Sequence, residues 1–121
     1  MLNLLVIRSA QPAQAAAFYG LFLPDFDYHR HGKGPMHYAC ELDGFVFEIY
    51  PLSAQQSQPD TFTRLGFGVA QLDDILTKIE LAGYSILEPA KNSPWGYRAV
   101  VQDVDGRKVE LVQVLPMHHK R

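Results

Sequence analysis

The chain has one cysteine, no surplus of positive charge and no long apolar run, and each shortage closes off a class of explanation. Cys40 alone cannot make an intrachain disulfide, and nothing resembles a clustered zinc motif, so a reducing interior compartment is the expected setting. Its place in the Tyr38, Cys40, Leu42 alternation marks it as a packed small apolar side chain rather than a reactive thiol. Eleven Lys and Arg against thirteen Asp and Glu leave a net charge of −2, without the basic footprint of a nucleic-acid binder. No apolar run approaches the ~20 residues of a membrane span, and the N-terminus lacks a basic segment followed by an apolar one. These absences predict a cytoplasmic protein with neither nucleic acid nor membrane as partner.

What is present is apolar content, 47% over 121 residues, enough for one domain with a sizeable core. Residues 97–114, YRAVVQDVDGRKVELVQV, form two apolar-rich runs joined at Val104-Asp105-Gly106-Arg107, where Asp-Gly offers the positive φ of a two-residue hairpin turn. Residues 37–50, HYACELDGFVFEIY, repeat that plan, again with an acid four positions after the turn glycine. The chain therefore reads as a tandem duplication with a period of about half its length.

Taken in order, residues 2–7 suit a strand buried on both faces. Pro12 opens a helix that runs to about Leu23, with Ala13, Ala17 and Leu21 at intervals of four and Pro24 as its stop. A short strand is expected around 26–30, followed by a loop. His29 and His31, at alternate positions, would share a face and could reach one metal, although a solvated polar strand is the plainer reading. In the first hairpin a two-residue loop at Asp43-Gly44 places Leu42 opposite Phe45, Cys40 opposite Phe47 and Tyr38 opposite Ile49, a side to be covered by a helix. The other side carries His37, Ala39, Glu41, Val46, Glu48 and Tyr50, a mixed surface suited to lining a cavity. Residues 53–60 read as a linker. The second half then restarts with a strand over 64–69, in which Gly66 and Gly68 suit close helix packing. A helix over 72–82 closed by Gly83 follows, then a strand over 84–89, a loop over 90–96 and the second hairpin.

Several short pieces carry a resemblance: Ala17-Phe18-Tyr19 on the first helix, Ser93-Pro94-Trp95-Gly96-Tyr97-Arg98 in the late loop, and Asp103-Val104-Asp105-Gly106 leading to Val109-Glu110-Leu111. In this order, over essentially the whole chain, they resemble the vicinal-oxygen-chelate superfamily of glyoxalases, extradiol dioxygenases and bleomycin-resistance proteins. The resemblance implies a single α+β domain over 1–121 of two tandem βαβββ modules, one over about 1–52 and one over about 61–115, with curled mixed sheets forming a cleft. It also implies a homodimer. In metal-dependent members each module supplies a His or Gln from its first strand and a Glu from its last. Glu48 and Glu110 fill the two acid positions, and the other two fall at about Leu4 and Leu65, which cannot donate electrons to a cation.

Three readings of Glu48 and Glu110 follow. They could hold a polar group of a small organic ligand, with Leu4, Val6, Leu65, Phe67, Tyr50 and Trp95 as apolar walls. They could be solvated residues inherited with the repeat. They could be metal ligands, with His37 as the nearest replacement donor. Trp95 suits stacking on a flat ligand or anchoring its loop, and Arg98 suits a ligand anion or a neighbouring carboxylate. His118 and His119 receive no role. The expected function is small-molecule binding through Glu48, Glu110, His37, Tyr50, Phe67, Trp95 and Arg98, without a cofactor. The alternatives are a divalent-metal glyoxalase-type lyase, isomerase or dioxygenase using Glu48 and Glu110, and a non-catalytic interaction module.

Overall fold

The first unit of the backbone, Met1–Thr61, runs β1 (Leu4–Ser9), α1 (Pro12–Tyr19), β2 (Asp27–His29), β3 (His37–Leu42) and β4 (Phe45–Pro51). The second unit, from Phe62 onward, runs β5 (Leu65–Val69), α2 (Leu72–Leu81), β6 (Ile86–Ser93), β7 (Gly96–Gln102) and β8 (Lys108–Gln113) in this computed structural model, which describes residues 1–114. His118 and His119 lie outside the described residues. Each unit is a βαβββ module with one four-stranded mixed sheet, ordered β1-β4-β3-β2 and β5-β8-β7-β6, and neither sheet closes into a barrel. The first strand of each lies parallel to the last, and the other pairings are antiparallel.

The first hairpin has the expected register, with Tyr38 paired to Ile49, Cys40 to Phe47 and Leu42 to Phe45. Asp43 at φ 50° and Gly44 at φ 84° make the two-residue turn whose twist matches its strands. Cys40, Phe47 and Ile49 are buried beneath Ala15, Phe18 and Tyr19 of α1, and the Tyr19 ring meets Phe47 edge-on at 5.0 Å. Cys40 is a packed side chain: its thiol donates to the Pro24 carbonyl at 3.4 Å, and burial, with the charge of Asp25 adding, pushes its pKa up. β1 is buried on one face only, since Leu4 and Val6 are exposed while Ile7 is buried. Helix α1 ends at Tyr19 rather than near Leu23, because Leu21 and Phe22 bond back three residues, to Phe18 and Tyr19, in a tighter turn.

In the second unit Leu72, Ile75, Leu76 and Ile79 of α2 are buried, as are Leu65, Val69, Val109 and Leu111 of the sheet. Tyr84 N–H bonds to Ile79 O and Gly83 N–H to Glu80 O, the paired closure that a glycine after the last turn permits. No side chain of Gln71 caps the start of α2, and Gln113 supplies the acceptor instead, its Oε1 taking the Leu72 N–H at 3.0 Å.

Three expectations need correction here. The turn of the second hairpin is longer than two residues: Gly106, at φ 100°, bonds back to Asp103 O, and Asp103 N–H bonds to Arg107 O. The Asp103 carboxylate enforces this by accepting the N–H groups of Asp105 and Arg107, each at 2.9 Å. β6 runs through to Ser93 instead of stopping near Pro89, because it is an edge strand that absorbs Pro89 in register shifts between Glu88 and Lys91. Gly66 and Gly68 point away from α2, since Leu65 and Val69, the alternate positions, are the buried ones.

Candidate functional site

Strand alternation gives each sheet a helix-covered face and an open face, and the register says which side chains meet on the open one. In the first module Ala39 pairs with Glu48, His37 with His29, Val6 with Glu48 and Arg8 with Tyr50. Two rows therefore cross the open face, Arg8-Tyr50-His37-His29 and Val6-Glu48-Ala39-Asp27. The small Ala39 leaves room for Glu48 to lean toward His37, whose Nε2 lies 3.6 Å from Glu48 Oε2.

His37 is 1% exposed and Tyr50 stacks on its ring at 4.1 Å, the planes 8° apart. On the other side the imidazoles of His29 and His31 lie 4.6 Å and 5.2 Å from it, centre to centre. One donor atom from each of His29, His31, His37 and Glu48 lies within 4.8 Å of every other. Glu110 is not part of this group. The alternation His29, His31 in the sequence pointed to it, but the contribution of His37 depends on the pairing of β2 with β3.

In the second module the same rows read Gly68-Val112-Arg98-Lys91 and Gly66-Glu110-Val100-Glu88. Arg98 Nε–H donates to Glu110 Oε2 at 3.0 Å, Arg64 comes to 3.6 Å of Glu110 Oε1, and Glu88 lies 3.6 Å from Arg98. The Arg98 hydrogen bond, helped by the charges of Arg98 and Arg64 and by Trp95, holds the Glu110 carboxyl below its ordinary pKa despite partial burial. Trp95 stands in the turn between β6 and β7, 65% exposed. Ser93 Oγ–H donates to Gly96 O at 2.7 Å across that turn.

Phe67 stands apart from this group. It pairs with Leu111 and so shares the helix-side face, as does Leu65, which pairs with Val109. The first-strand positions flanking Glu110 on the open face are thus Arg64 and Gly66, the counterparts of Leu4 and Val6. None of these four offers a lone pair to a cation, and Glu110 is already neutralised by two arginines. The residues do not fit a metal held by two first strands and two last strands.

A cleft of about 520 Å³ opens on the helix side of the first sheet, between the start of α1 and Tyr28, Met36, Tyr38 and Pro51. Its volume suits a small ligand. Neither glutamate lines it.

No protein-family model and no curated protein matches the chain. Solved structures do match. TnmS3, an antibiotic binding protein from Streptomyces sp. CB03234, is 19% identical with a TM-score of 0.73, over 95% of this chain and 96% of its own. A glyoxalase/bleomycin resistance protein from the same organism is 19% identical with a TM-score of 0.70, over 93% and 100%. A glyoxalase-related enzyme from Fulvimarina pelagi is 20% identical with a TM-score of 0.69, over 94% and 88%. At these identities the likeness is one of fold.

Proposed function

From a chain with the vicinal-oxygen-chelate fold of glyoxalase and bleomycin-resistance proteins, we propose a small-molecule-binding protein: cytoplasmic, a single domain of two modules, and a homodimer. Among the described residues no helix is long and apolar enough to cross a membrane. The observation that carries the reading is the open face of the second module. There an exposed indole, Trp95, stands beside a charge-balanced cluster of Arg98, Arg64, Glu110 and Glu88. Gly66 leaves the strand beside Glu110 without a side chain, which gives a flat ligand room to lie against the sheet there while its polar groups meet the arginines. Glu48 and Tyr50 offer the corresponding polar and aromatic surface in the first module, over the buried His37. The antibiotic-binding description of TnmS3 is compatible with this use of the fold.

The cleft beside Tyr28 and Tyr38 is the competing location, and it lacks charged lining groups. Trp95 is the chain's one tryptophan, so its emission reports on the turn between β6 and β7. Titration with a panel of flat aromatic compounds bearing acidic or hydroxyl groups is expected to quench it saturably, and Arg98→Ala is expected to weaken the effect. A compound bound by calorimetry that leaves the emission unchanged and is released by Tyr28→Ala would move the site to the cleft. A panel that neither quenches nor releases heat would remove the reading. Sedimentation of the apo protein tests the dimer.

A further inference from the structure

We propose that the open face of the first module binds one divalent transition-metal ion, of the zinc class, through His29, His31, His37 and Glu48. The inference stands on this cluster alone and does not depend on small-molecule binding in the second module.

The tautomer of His37 is the first step. Its Nδ1 lies 3.1 Å from the Pro35 carbonyl, which can only accept, so in the neutral imidazole the ring proton sits on Nδ1 and Nε2 carries the lone pair. Nε2 is the single buried side-chain nitrogen or oxygen without a hydrogen-bond partner among the described residues. It faces the carboxylate of Glu48 at 3.6 Å, so two lone-pair groups confront each other where water is scarce. A cation between them resolves the conflict.

His29 is prepared in the same way. Its Nδ1–H points to Asp27 Oδ2 at 3.2 Å, leaving Nε2 as the donor. A carboxylate behind one imidazole and a backbone carbonyl behind another is the outer arrangement that fixes histidine ligands on metals. Tyr50, stacked on His37 and itself beneath the Arg8 guanidinium at 5.2 Å, locks the ring plane.

The distances also suit the ion. Zn–N and Zn–O bonds of roughly 2.0–2.1 Å place tetrahedral donors about 3.3 Å apart. The His37–Glu48 pair at 3.6 Å is close to that, and since all four donors lie within 4.8 Å of one another, closing the set needs a contraction of at most about 1.5 Å. His31, exposed in the turn before Gly34, is the side chain free to make it. Three imidazoles and one carboxylate favour zinc, nickel or cobalt over magnesium or calcium, which take all-oxygen shells. All four donors come from one module, a different construction from a site shared between first and last strands.

The test uses the full chain, stripped with a chelator, dialysed and titrated with zinc sulfate by calorimetry, with cobalt absorption as a check on coordination. One zinc per chain is expected, together with a raised unfolding midpoint. His31→Ala, at an exposed position, and Glu48→Gln should each weaken binding at least about 100-fold, and Asp27→Asn about 10-fold. His118→Ala with His119→Ala should leave it intact. Absence of stoichiometric zinc in the parent protein overturns the proposal, as does affinity unchanged by His31→Ala and Glu48→Gln. Zinc lost with the tail histidines alone would also overturn it.

Discussion

Glu48 and Glu110 occupy the same position in the two modules, four residues after a turn glycine and paired with the middle of the preceding strand, yet they have opposite surroundings. The position diagonal to the acid is His37 in the first module and Arg98 in the second. Arg98 satisfies Glu110 with a permanent charge at 3.0 Å, whereas His37 turns an unpartnered nitrogen toward Glu48 at 3.6 Å. One backbone plan thus holds a closed ion cluster in one copy and an open donor set in the other. Identity at the acid position says little about chemistry, and the cross-strand neighbour decides it.

The hairpin turns differ as sharply, and breaking them should give the largest contrast. Arg107 is 1% exposed, and its guanidinium pairs with Asp103 at 3.1 Å and Asp105 at 3.4 Å, while Asp103 also holds two backbone N–H groups. Asp103→Ala leaves a buried cation short of its main partner and should cost about 3–5 kcal/mol. Asp43→Ala disturbs only a positive φ in a two-residue turn, for about 1 kcal/mol. Urea unfolding of the two variants checks the ratio, and equal costs would contradict the buried pair.

A smaller effect separates the two acids by pH. The folded-state pKa of Glu110 lies below the ordinary 4.5, chiefly through the Arg98 hydrogen bond. Its contribution to stability is therefore present above that ordinary value and is lost as pH falls through the lower folded value. Glu110→Gln should destabilise by at most about 1 kcal/mol at neutral pH, because the cluster is partly open to solvent. It should also flatten the decline of stability below pH 4.5. Unfolding curves of parent and variant that converge in acid support this, and parallel curves contradict it.

These contrasts also mark what could be read without coordinates. The two modules and the first hairpin were legible because Asp43-Gly44 admits one turn type and the alternation around it is clean. The second hairpin shares the Asp-Gly signal, but the Asp103 side chain competes for the backbone and lengthens the turn. Leu65 was assigned to the face of Glu110 because the parallel pairing of β5 with β8 joins segments some forty residues apart, and nothing local fixes its register. His29 and His31 announced themselves by alternation. Their meeting with His37 depends on β2 pairing with β3 and on the turn after it, which no periodicity encodes.

The mildest test concerns the strand beside each acid, Val6 in the first module and Gly66 in the second. Neither Gly66 nor Gly68 has positive φ, so a methyl group at either carries no backbone penalty and removes unfolded-chain entropy, a gain of about 0.5–1 kcal/mol if it fits. At Gly66 the nearest atoms to an added Cβ are the Glu110 Cβ and carbonyl oxygen at 3.9 Å, ordinary contact, so Gly66→Ala should stabilise. At Gly68 the added Cβ would fall 2.8 Å from Val114 Cγ1, and Val114 must shift although its N–H is bonded to Val69 O. Gly68→Ala should forfeit the gain or reverse it. A urea midpoint for Gly66→Ala above the parent, with Gly68→Ala at or below it, would place the free space beside Glu110. The reverse order would mean that the floor of this face is set by other side chains.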